Sequence, residues 1–143
     1  MIATDGSEVS MRAAEMAIDL AEISSAKVIA IYVVDVPRLA HLPGYAAIPG
    51  LKDNLTILML EEGNKAVSEI ESIAHNVAIT CEKVVTEGNP SDQLIWHSKE
   101  MGIDLIVMGS TGRSGWNKSM IGSVTEKLVR HSKVPVLIVP GLK

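Results

Sequence analysis

Ile103-Asp104-Leu105-Ile106-Val107-Met108 runs straight into Gly109-Ser110-Thr111-Gly112-Arg113-Ser114-Gly115, and a new pattern opens at Gly122-Ser123-Val124-Thr125. The first stretch reads as a buried strand, and Val124 to His131 reads as a helix. Open α/β sheets hold ligands beyond the carboxyl ends of their strands, where the strand order reverses. Glycines there let backbone N–H groups approach an anion, and a helix N-terminus adds partial positive charge. Ser110, Thr111, Ser123 and Thr125 add hydroxyl donors, and Arg113 adds a full charge. On the glycines alone, a purely structural turn is an equal reading. The patterns G-x-x-x-x-G-K-[ST] and G-x-G-x-x-G are both missing. Residue types therefore lead only as far as an anion site.

Outward from this loop, strand and helix patterns alternate. Ile2-Ala3-Thr4 is a short strand end, stopped by Asp5-Gly6; Ser7 is placed to cap a helix and Glu8 suits its positive end. Val9, Ala13, Met16, Ala17, Leu20 and Ala21 recur at helical spacing. Val28 to Val34 is continuously apolar, as a strand covered on both faces should be. Residues 36–50 hold Pro37, Pro43, Gly44, Pro49 and Gly50 and read as a long loop. A long helix through Leu51, Leu55, Leu58, Met59, Ala66, Ile70, Ile73 and Ala74 follows, with Gly63 as its weak point. Ile79 to Val85 alternates like a strand near a sheet edge, and Asn89-Pro90 starts a helix that Gly102 stops. Val134 to Val139 is the last strand. Five strands joined by four helical links predict an open, mostly parallel α/β sheet with helices on both faces. Without a linker or repeat, residues 1–143 are expected to form a single domain.

Composition narrows the function classes. With no Phe and only two Trp and two Tyr, the core must come from aliphatic residues and Met. A net charge of −4 argues against general binding to nucleic acid or to an acidic membrane. No apolar stretch reaches the roughly 20 residues of a spanning helix, and no signal peptide is visible. Cys81 is the only cysteine, which suits a reducing, cytoplasmic setting and an inert thiol in a strand. The histidines at 41, 75, 97 and 131 lack metal-ligand spacing, and His131 beside Arg130 suits a helix C-terminus. Trp96 is expected in the core or an interface; Trp116 is a lid or an exposed contact, and Lys118 is exposed.

Gly109-x-x-Gly112, nine residues, then Gly122-Ser123 resembles the nucleotide signature of the ATP-binding universal stress proteins. Ala3-Thr4-Asp5-Gly6-Ser7, Glu87-Gly88-Asn89-Pro90, Asp104 to Gly109 and Val134-Pro135-Val136-Leu137-Ile138-Val139 resemble other landmarks of that family, in the same order along nearly the whole chain. The family's first strand usually starts a few residues earlier, so Met1 would begin a trimmed strand. The resemblance implies a Rossmann-like fold of the adenine nucleotide α-hydrolase type and ATP as ligand, with Mg or Mn bridging its phosphates. Gly109, Gly112, Gly122, Ser123 and Val124 would then present N–H groups to the phosphates, helped by the Ser123 hydroxyl, with Thr125 as a further donor. Asp5 would lie beside ribose and phosphates, near a phosphate-bound ion, unless it only forms an Asx turn before Gly6. Ala3, Thr4 and Met108 would line the cleft, the Val33 backbone would meet the adenine edge, and Arg113 would reach the γ-phosphate or stay in solvent. The protein alone is expected to hold no metal. The resemblance also implies a homodimer through strand 134–139, whose apolar edge would otherwise invite aggregation.

Phosphoryl transfer needs phosphate positioning, charge neutralisation and an oriented nucleophile. The loop offers the first and part of the second, and no residue pair is evident for the third. A binding module that switches with nucleotide occupancy is therefore the leading expectation, with the 36–50 loop as its reporter. A weak ATPase or self-phosphorylating protein that needs a partner, and an interaction protein with a vestigial site, are the alternatives.

Overall fold

The computed structural model describes residues 1–113 and 121–141. In chain order it contains β1 (Ile2–Thr4), α1 (Glu8–Ser24), β2 (Val28–Asp35), α2 (Val36–Ala40), α3 (Leu51–Asn76), β3 (Cys81–Gly88), α4 (Pro90–Glu100), β4 (Ile106–Gly109), α5 (Ser123–His131) and β5 (Val136–Val139). The strands form one sheet in the order β3-β2-β1-β4-β5, and every neighbouring pair is parallel.

Side-chain alternation explains the unbroken apolar run of β2. Val28, Ala30, Tyr32 and Val34 point into a core shared with α1 and α3, while Ile31 points into a second core with Leu94 of α4 and Leu128 of α5. Ile2 and Val107 join the first core; Ala3, Ile106 and Met108 join the second. Helices thus cover both faces, as a parallel sheet requires. β3 lies at one edge, in keeping with its alternating sequence. The expected strand starts at Ile79, Ile103 and Val134 move inward to Cys81, Ile106 and Val136. At β5 the cause is Pro135, which offers a carbonyl to Ile106 N at 2.9 Å but has no N–H for the ladder.

Caps behave as the sequence predicts. Ser7 Oγ accepts from Ser10 N at 3.3 Å, and Asn89 Oδ1 accepts from Asp92 N at 3.3 Å. Gly102, at φ +61°, ends α4 while Ile103 N donates back to Ser98 O at 2.9 Å.

The structure corrects or refines several of these readings. Residues 36–50 are not all loop: Val36–Ala40 is a helical turn, started by Asp35 Oδ1 accepting from Arg38 N at 3.0 Å, with Pro37 in the first turn. Met16 and Leu20 of α1 are exposed, because the buried stripe is Ser10, Ala13, Ala14, Ala17, Ile18 and Ala21. Ser10 can begin that stripe because its hydroxyl lies 2.9 Å from Thr4 Oγ1 and donates to Ser7 O at 2.8 Å; Leu58 of α3 is likewise exposed. Gly63 does not weaken α3, which is continuous; a Cβ there would lie 2.6 Å from the Tyr32 ring, so glycine lets the helix approach β2. Of the two places expected for Trp96, the core is excluded, since it is 55% exposed with its ring edge-on to His97 and Leu94 fills the core instead. Among the described residues, no helix is long and apolar enough to cross a membrane.

Candidate functional site

The chain runs β1, β2, β3 toward one edge and then crosses to β4 and β5, so the strand order reverses between β1 and β4. At such a point the two outgoing loops diverge and leave a crevice outside the carboxyl ends. Here it has a volume of about 540 Å³. Its lining joins Ala3, Thr4 and Asp5 after β1, Val33 and Asp35 of β2, Met108 and Gly109 of β4, and Thr111, Gly112 and Arg113 of the loop. Gly122, Ser123, Val124 and Thr125 at the start of α5 complete it. All twelve site residues expected from the sequence thus meet at one crevice. Ser114, Gly115, Trp116 and Lys118 lie outside the described residues.

Geometry refines their roles. Among the described residues no side chain caps α5, so the N–H groups of Ser123, Val124 and Thr125 begin the helix beside the crevice. Gly122 N differs: it donates to Ser110 O at 2.8 Å, which commits that N–H to closing the loop. Thr125 is buried, and its hydroxyl donates to Gly109 O at 3.1 Å, tying α5 to the end of β4. Gly109 meets a packing need, since a Cβ there would lie 2.8 Å from Val9 Cγ1 and 3.2 Å from the Val9 backbone. At Gly112 a Cβ would lie 2.7 Å from Asp5 Oδ2.

Asp5 both forms the Asx turn and faces the crevice. Its Oδ1 accepts from Ser7 N at 3.1 Å and its Oδ2 from Arg113 N at 2.8 Å. Burial works to raise its pKa, but bonds from Ser7, from Arg113 N and from Ser10 outweigh that, and the carboxyl sits below its ordinary value. Asp5 is therefore an anion that fastens the β4 loop to the end of β1.

The Arg113 side chain turns toward α3 and forms an ion pair with Glu62. Its guanidinium lies over Gly6, where a Cβ would be 2.8 Å from Nη2. Beneath the pair sits Tyr32, whose phenol is pushed up to about 12 by burial and by the charge of Glu62. Arg113 chiefly holds Glu62 ionised, below the usual carboxylate range. Further lining comes from Arg38 and Leu39 of α2, Leu42 just beyond it, Met59 of α3, and Pro90 and Leu94 of α4. None of these, nor Glu62 or Tyr32, stands out in the sequence as a site residue. Asp35 with Pro37 could have revealed α2, since a capping acid followed by a first-turn proline marks a helix start. Nothing local separates Glu62 from its neighbour Glu61. At the far sheet edge, burial raises the Cys81 thiol, which suits an inert cysteine.

Known proteins share this architecture. The chain is 36% identical over 139 residues to Universal stress protein MJ0531 of Methanocaldococcus jannaschii, covering 97% of this chain and 79% of that one. The fold matches that of the protein MJ0577, solved for a structure-based assignment of biochemical function, with TM-score 0.83 at 24% identity over 99% of this chain and 94% of the other. It also matches a universal stress protein solved in complex with cAMP, with TM-score 0.69 at 27% identity over 97% and 93%. The profile of the Universal stress protein family matches residues 1–140, and the chain belongs to that family.

Proposed function

We propose that residues 1–143 act as one nucleotide-binding domain that takes ATP in the crevice between β1 and β4 and works as a nucleotide-dependent switch in the cytoplasm. The observation that carries this reading is the start of α5, which no described side chain caps and which lines the same crevice as Gly112 at the point of strand reversal. Phosphates there would receive the N–H groups of Ser123 and Val124, the Ser123 hydroxyl and the loop at Gly112. The adenine would lie toward Val33 and α2, where Leu39, Leu42 and Met59 make the wall apolar. Val36–Ala40 would then register occupancy, since it leaves β2 beside the base. Thr4, Ala3 and Met108 form the floor.

Among the described residues no three His, Cys, Asp or Glu side chains converge as a metal site. A Mg or Mn ion would therefore be held mainly by phosphate oxygens, with the ionised Asp5 carboxylate as the nearest protein anion. Among the described residues no acid–base pair beside the crevice suggests rapid turnover, so slow hydrolysis or self-phosphorylation ranks below simple binding. A monophosphate or cyclic nucleotide is the second reading, favoured by the relative solved with cAMP.

A second copy is proposed to pair along β5, an edge strand whose Val136, Leu137 and Ile138 are only partly buried. The central test is mass spectrometry of small molecules released from purified protein, followed by calorimetry with ATP and magnesium. An adenine nucleotide released at near one per chain is the expected result. Gly112→Val together with Gly122→Val should abolish its binding while circular dichroism stays unchanged; phosphate release in the wild type would move the reading to a weak ATPase.

A further inference from the structure

We propose that Glu62 sets how many phosphates the crevice favours, by competing with the terminal phosphate of the nucleotide for the Arg113 guanidinium. This rests on the nucleotide reading above and names its specificity-determining residue. Among the described residues, the charged side chains lining the crevice are Asp5, Asp35, Arg38 and Arg113. Asp35 and Arg38 stand at the β2 end, joined through the Arg38 N–H. At the loop end, Asp5 is therefore met by one described cation, Arg113.

Two contacts pull Arg113 in different directions. Its backbone is fastened by Asp5 Oδ2 at 2.8 Å, so the root of the side chain is fixed at the crevice. Its guanidinium is drawn to Glu62 on α3, which does not line the crevice. The two side chains are 42% and 36% exposed, and a pair so open to water is weak and readily exchanged. A terminal phosphate carries more charge than a carboxylate and accepts the guanidinium fork through two oxygens.

The consequence depends on phosphate number. A single phosphate on the first turn of α5 needs no help from Arg113. Each further phosphate adds negative charge near Asp5, and Arg113 can offset it only by leaving Glu62. Glu62 thus opposes a triphosphate more than a monophosphate.

Calorimetry of ATP and AMP, with and without magnesium at fixed ionic strength, tests this on the full chain. Glu62→Gln keeps the side-chain shape and should raise the ATP-to-AMP affinity ratio by about threefold or more. Arg113→Gln should lower the ratio below wild type, and Arg113→Lys should restore part of it. Because Glu62 acts through Arg113, the double variant Glu62→Gln/Arg113→Gln should match Arg113→Gln alone. A ratio unchanged in Glu62→Gln would overturn the proposal, as would a double variant that keeps the full gain, which would mean simple repulsion. If wild type binds neither nucleotide, the nucleotide reading itself fails; if it binds both and the ratio does not move, only the role of Glu62 fails.

Discussion

Asp5 accepts one N–H from its own turn and one from a residue 108 positions away. The short link is predictable from Asp-Gly-Ser, whereas the long one exists only because β1 and β4 are neighbours. Replacing Asp5 by Asn leaves one of these donors facing an amide N–H₂, at a cost of roughly 1.5–3 kcal/mol for bonds to a charged group. The pH dependence follows from its lowered pKa. A carboxyl depressed on folding stabilises above its unfolded value near about 3.9 and loses that contribution as pH falls through its folded value. Urea titrations of wild type and Asp5→Asn should therefore differ most near neutral pH and converge as the solution is acidified below about pH 4. Tyr32 has the opposite sense: its phenol stays protonated up to about 12 in the fold, so its contribution declines at alkaline pH once the unfolded phenol ionises.

At the scale of elements, glycines mark close approaches more than hinges. Gly63 lies in the middle of a 26-residue helix, where propensity alone would make Gly63→Ala stabilising by about 1 kcal/mol. The added Cβ would instead press on the Tyr32 ring at 2.6 Å, and overpacking of this kind costs about 1–3 kcal/mol. A net loss of about 1 kcal/mol is expected, visible as a lower melting temperature. Combining it with Tyr32→Val, which removes the ring, should leave the alanine no longer destabilising. The same logic explains why α1 lies as it does. Alanines at 13, 14, 17 and 21 bring it close to the sheet, so larger residues at 16 and 20 are turned to solvent. Apolar spacing identified the helix but not its rotation, because Ser10 takes a buried position that only its hydrogen bonds permit.

For the molecule as a whole, assembly is the open property with the sharpest test. β5 is an edge strand with three partly buried aliphatic residues, and α1 beside it exposes Met16 and Leu20. Sedimentation should find a dimer for wild type, and Ile138→Lys should shift it toward monomer without changing its circular dichroism; a wild type that stays monomeric at micromolar concentration would rule the dimer out. The sequence by itself determined the main alternation of strands and helices, their caps at Ser7 and Asn89, and the glycine-rich segment after β4 as an anion site. Those features rest on near-neighbour physics: hydrophobic period, capping hydroxyls and the freedom of glycine. Only the tertiary structure decided that Gly122 N–H is already bonded, that Gly109 makes room for α1, and that Arg113 turns to Glu62. Each of these depends on groups far apart in sequence meeting across the sheet, and no local pattern records which of several similar residues will be the one that arrives.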